Sequence, residues 1–146
     1  MEDIEYVYTV GMDDETIAER LDEASSGVLS LADDGRAYAI PVHVTLDEEG
    51  GRLLFRLTDD THSEKMQFVE KTNEATFICY DDCGDESWSV MARGTVRVLP
   101  DDEMPDEATI NELYGEVRVF DEDVRDLQLH IVELTLDELT GRETPR

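Results

Sequence analysis

Hydrophobic residues fall in short runs along this chain, and the period of those runs alternates between that of a helix and that of a strand. Residues 13–24 carry Ile17 and Leu21 four apart, with Asp13 or Asp14 able to cap and acidic residues in the first turn, which predicts a helix. Residues 27–32 form a short apolar run, and the turn Asp33-Asp34-Gly35 sends the chain back as a strand over residues 36–46. In that strand Tyr38, Ile40, Val42, Val44 and Leu46 share one face; Ala37, Ala39, Pro41, His43 and Thr45 share the other. A turn at residues 48–51 leads to a third strand over 52–58, with Leu53, Phe55 and Leu57 inward and Arg52, Arg56 and Thr58 opposite. Thr61 and Glu64 have capping-box spacing, and Met66 and Val69 begin an apolar stripe, so residues 61–73 are predicted helical. Strands follow over 75–80 and 87–99; in the second, Trp88, Val90, Ala92, Val96 and Val98 alternate with Ser89, Met91, Arg93, Thr95 and Arg97. A short helix over 106–114, a strand over 127–136 and a polar tail after residues 137–141 complete the order. Six mostly antiparallel strands joined by tight turns predict a small six-stranded antiparallel β-barrel, a mainly β fold whose short helices plug its ends or seams.

With 146 residues, the chain suits one domain spanning 1–146. Lys and Arg number 12 against 38 Asp and Glu, a formal charge of −26, which disfavours nucleic acid and anionic membranes as partners. Hydrophobic residues still make up 40%, and their periodicity argues against a disordered acidic tail. The lysines are Lys65 and Lys71 alone, and acid enrichment with lysine depletion predicts a halophilic protein, its self-repulsion screened in concentrated salt. No run approaches the ~18 apolar residues of a membrane span, and the first residues lack the basic and apolar parts of a signal peptide, so a cytoplasmic location is expected. Cys79 and Cys83 are not spaced as CxxC, and free thiols are expected.

The segment from Phe55 to Lys65 brings the end of a strand to the start of a helix, with Arg56, Thr58, Ser63 and Lys65 gathered there. Helix-start amides, reinforced by two cations, make a plausible phosphate pocket. Surface pairing of Arg56 and Lys65 with Asp59, Asp60 or Glu64 accounts for the same spacing. Pro41 inside a strand removes one ladder donor; it suits either a gap that takes a flat heteroaromatic ring or an edge protected from aggregation. Trp88 shares a face with Val90 and Ala92, which favours core packing on residue type. His43, His62 and His130 lie on separate elements without the spacing of a metal or haem ligand set, and no Ser-His-Asp pattern appears. Asp81-Asp82 and Asp101-Asp102 read as solvated loops.

Gly27-Val-Leu-Ser-Leu-Ala, Asp34-Gly35, Tyr38-Ala-Ile-Pro-Val42, Leu54-Phe-Arg-Leu-Thr58, Ser63-Glu-Lys65, Trp88-Ser-Val and Gly94 together resemble the pyridoxamine 5'-phosphate oxidase-related FMN-binding proteins. The likeness runs from about Gly27 to Leu99, and residues 137–141 resemble the usual closing segment. It implies a six-stranded split barrel and a homodimer with FMN in grooves between the subunits. Carried over by position, Ile40, Pro41 and Val42 line the flavin ring, Arg56, Leu57 and Thr58 continue toward the ribityl phosphate, and Ser63 and Lys65 hold it. Trp88 and Ser89 match the strand that reaches the flavin from the other subunit. Many relatives carry Arg where Glu64 stands, and the oxidase's C-terminal Arg and His segment is missing from residues 141–146. The resemblance therefore implies an FMN-dependent oxidoreductase acting on a small organic molecule other than the vitamin B6 phosphates. The alternatives are a flavin- or haem-binding module without turnover, and an F420-dependent reductase.

Overall fold

The computed structural model describes residues 9–59, 64–83, 86–103 and 128–145. In chain order the elements are β1 (Val10–Gly11), α1 (Asp14–Glu23), β2 (Ser26–Asp33), β3 (Arg36–Asp47), β4 (Arg52–Asp59) and α2 (Glu64–Lys71). They continue as β5 (Ala75–Cys83), β6 (Glu86–Gly94), β7 (Val96–Val98), a 3-10 turn (Asp101–Glu103), β8 (Gln128–Thr135) and β9 (Glu138–Glu143). The predicted helix over 106–114 lies outside the described residues.

Every strand pairing is antiparallel. Strand β2 lies between β3 and β5, β4 between β3 and β8, and β6 between β5 and β9, while β7 pairs with β8. Because β6 continues into β7 through Thr95, and β8 into β9 through Leu136 and Asp137, the ladder returns on itself. Six strand courses close a mainly β barrel, the fold class expected from the alternation, and β1 adds two residues to the edge of β9.

The predicted strand 87–99 is thus one course with a break at Thr95. At the break the backbones of Gly94 and Thr135 press together: a Cβ on Gly94 would lie 1.6 Å from the Thr135 carbonyl oxygen. Bonds from Thr135 N–H to Thr95 C=O (3.0 Å) and from Asp137 N–H to Arg93 C=O (3.0 Å) bind the seam. Residues 138–141 and the start of the polar tail expected after them form strand β9. Its residues are mostly exposed and show no apolar alternation, so its strand character comes from backbone pairing with β6.

Local chemistry sets the element ends. Asp13 caps α1, accepting from Thr16 N–H at 2.8 Å, and Ile17 and Leu21 bury against the barrel. Asp34 (φ 49°) and Gly35 (φ 76°) take the two left-handed positions of the β2–β3 hairpin. Helix α2 ends where the buried Thr72 donates its N–H to Phe68 C=O at 2.9 Å. Inside the barrel Leu29, Leu53, Phe55, Phe77, Val90, Val132 and Leu134 are fully buried, with the Phe55 and Phe77 rings 5.3 Å apart. Leu54, Leu99 and Ile131 form a second cluster.

An ion network crosses the wall beside that cluster. Arg52 donates to Asp47 at 2.8 Å and to the buried Glu133 at 2.6 Å; Arg97 donates to Glu133 at 2.7 Å and to Glu103 at 2.6 Å. Burial pushes the Glu133 carboxyl upward, but the hydrogen bonds from Arg52 and Arg97 outweigh it and hold the group below its ordinary range.

Candidate functional site

The barrel opens between β3 and β4. Their ladder runs from Asp47–Arg52 only as far as His43–Arg56, while β3 stays paired to β2 through Arg36 and β4 stays paired to β8 through Asp59. Past His43 and Arg56 the two strands therefore diverge with their facing edges unpaired. A groove of about 460 Å³ fills the gap. Strand β3 contributes Ile40, Pro41, Val42 and His43, β4 contributes Arg56, Leu57 and Thr58, β2 adds Ser26, and α2 adds Lys65.

This divergence explains how a proline sits inside a long strand. The N–H of Val44 donates to Ser25 C=O on the β2 side, at 3.1 Å. By the alternation of a strand, even-numbered residues here bond toward β2 and odd-numbered ones toward β4. The donor that Pro41 lacks would thus point into the gap, where no strand awaits it, and its carbonyl faces the groove as an acceptor. At the last β3–β4 pair, His43 stands opposite Arg56 and also opposite Ser26. Toward the divergence, Lys65 enters from the first turn of α2, half-buried and making no ion pair among the described residues. Its neighbour Glu64 turns away to Arg36, 3.1 Å distant.

Seven of the ten residues singled out in the sequence line this groove: Ile40, Pro41, Val42, Arg56, Leu57, Thr58 and Lys65. Ser63 lies outside the described residues. Trp88 and Ser89 are elsewhere in the chain's fold, in a depression of about 290 Å³ on β5 and β6 that also holds Tyr80 and Arg142. Trp88 packs at the rim of the core, with the Arg20 guanidinium 4.8 Å from the centre of its ring. Ser26 and His43 were missed. His43 shares the face of Pro41 in the sequence alternation, but Ser26 enters only through its cross-strand register with His43.

Cys79, inside the barrel, is a free thiol whose pKa burial pushes up to about 11, so it is a poor nucleophile. Among the described residues no group of His, Cys, Asp and Glu is arranged to hold a metal ion, and no helix is long and apolar enough to cross a membrane.

An antiparallel barrel opened between two of its strands, with a partly cationic groove at the opening, is a split barrel. The family described as pyridoxamine 5'-phosphate oxidase matches residues 13–143, and the chain belongs to that family. Among solved structures, an FAD-binding protein from Mesorhizobium loti superposes with a TM-score of 0.72 at 14% identity, covering 94% of this chain and 99% of that one. The FAD-binding protein of Mycobacterium smegmatis gives 0.65 at 19% identity, covering 92% and 98%. An FAD- and haem-binding protein of the same organism gives 0.66 at 16%, covering 92% and 72%. No curated protein sequence matches the chain.

The groove fits a flavin nucleotide in kind. Its walls combine aliphatic strand edges, which suit a flat ring, with backbone groups released from pairing, which suit the ring's polar rim. Thr58, beyond the last β3–β4 pair, and Lys65, from α2, add a hydroxyl and an ammonium to the lining, the kinds of group that a phosphate needs.

Proposed function

We propose that this chain binds FMN in the β3–β4 groove and works as a homodimeric, flavin-dependent oxidoreductase on a small organic molecule. The observation that carries the reading is the divergence of β3 and β4 beside Lys65, which makes no ion pair among the described residues, in a protein where positive charge is scarce. Lys65 and Thr58 would hold the phosphate, with Ser63 as a further donor. Ile40, Pro41, Val42 and Leu57 would seat the ring and keep water from one of its faces, while Arg56 would place positive charge beside it. Bound flavin supplies hydride or single-electron chemistry of its own, so the protein's part is placement, dryness and hydrogen bonding. His43, opposite Arg56 at the last β3–β4 pair, adds an imidazole to the lining.

The outer face of β2, β5 and β6 supports the dimer. One cross-strand row there runs Pro41, Val28, Ile78 and Met91, without a charge, and Tyr80 beside it is 67% exposed. A second copy seated on this face would bring its Trp88 and Ser89 toward the groove. A salt-rich cytoplasm is the setting that the acidic charge suggests.

The test is the absorbance of the purified protein and the identity of what it releases. Flavin bands, FMN by mass spectrometry, and bleaching by NAD(P)H with reoxidation by an organic acceptor are expected. Release of FAD, F420 or haem would replace FMN with that cofactor, and bound FMN that no donor reduces would leave a binding module without turnover.

A further inference from the structure

The groove's cation stands beside a carboxylate. Glu64 precedes Lys65 in the first turn of α2, and a free Glu64 side chain would compete with any anion for the Lys65 ammonium. The two side chains part instead. Lys65 lines the β3–β4 groove, whereas Glu64 lines a separate depression of about 190 Å³ beside the β2–β3 turn, with Asp33, Asp34, Arg36, Phe68 and Lys71. There Arg36 Nη2 donates to Glu64 Oε1 at 3.1 Å.

Arg36 is held in place from below. Its guanidinium lies 5.8 Å from the centre of the Phe68 ring, and Phe68 is in turn stacked on Tyr38 with centroids 4.9 Å apart and planes 15° from parallel. Glu64 and Phe68 are four residues apart, so they share one face of α2 and Arg36 meets both at once. The hairpin turn at Asp34 and Gly35 delivers Arg36 to that face as the first residue of β3.

We propose that Arg36 is a positioning residue of the anion site: by holding Glu64 in the depression beside the β2–β3 turn it keeps that carboxylate off Lys65 and leaves the ammonium to the flavin phosphate. The proposal rests on the flavin reading above. Arg36 does not touch the cofactor; it acts through Glu64. Because the pair is exposed, its effect is modest and falls with added salt.

The test compares FMN with riboflavin, which has the same ring and no phosphate, by fluorescence titration of the full-length protein. Titrations are made at the lowest salt where the far-ultraviolet spectrum still matches the high-salt form. Arg36→Ala is expected to weaken FMN about twofold to fivefold and to leave riboflavin unchanged. Arg36→Lys should recover most of the loss. Glu64→Gln should bind FMN at least as tightly as the parent, and in that background Arg36→Ala should cost nothing. Equal weakening of both ligands by Arg36→Ala, or an FMN loss that persists in the Glu64→Gln background, would overturn the proposal. FMN binding that ignores Arg36→Ala overturns it alone, whereas a parent protein that binds neither ligand overturns the flavin reading as well.

Discussion

Lys65 is the residue on which the proposed binding of an anion in the groove depends most. It carries one of two lysine charges on a chain of −26, and it reaches the groove without an ion pair among the described residues. Lys65→Ala should weaken FMN by about 1.5 kcal/mol or more, roughly tenfold, with an unchanged circular dichroism spectrum, as befits loss of a charge-assisted hydrogen bond. Glu133 is a different kind of residue, buried and structural. Glu133→Gln should lower stability by about 1–3 kcal/mol in denaturant titrations, since Arg52 and Arg97 would each face a weaker acceptor. Its depressed folded pKa also fixes a sign. The stability it contributes is complete above the unfolded carboxyl value of about 4.3 and is lost as pH falls through the lower folded value. The parent should therefore lose stability in acid more steeply than Glu133→Gln.

At the scale of elements, the seam is the tightest point. Gly94→Ala should cost about 3 kcal/mol or more in thermal or chemical unfolding, because the new methyl would occupy the space of the Thr135 carbonyl oxygen. The elements that the sequence made legible are those whose burial leaves a period behind. Ile17 and Leu21 marked α1, the even positions of β3 marked its inward face, and Asp34-Gly35 marked a turn that only left-handed residues close easily. Strand β9 left no such mark, for its side chains mostly face water and its order comes from the backbone of β6. The site followed the same logic. Arg56, Thr58 and Lys65 were readable because a strand end and a helix start must lie together in any fold. The opening of the ladder at His43 was not, since pairing across 13 residues of sequence leaves no local trace; Pro41 hinted at it without deciding between a gap and an edge. The divergence of Glu64 from Lys65 depends on Arg36, which is 28 residues away.

The whole molecule combines a well-packed barrel with a surface of strong self-repulsion, and two such chains repel further when they meet. High salt should therefore raise both the melting temperature and the fraction of dimer, the dimer following sedimentation velocity from about 0.1 M to 2 M salt. A melting temperature that ignores salt over that range would remove the halophilic reading. For the proposed dimer, Ile78→Glu in the uncharged row should yield a folded monomer that retains little flavin, because the partner's Trp88 and Ser89 would not reach the groove. The most direct measurement of all is a crystal structure of the protein with FMN. The proposed binding mode puts the phosphate within about 3 Å of Lys65 Nζ and the ring along Ile40, Pro41 and Val42 in the opening between β3 and β4. FMN bound elsewhere on the barrel, or a groove filled by the chain's own side chains, would contradict it.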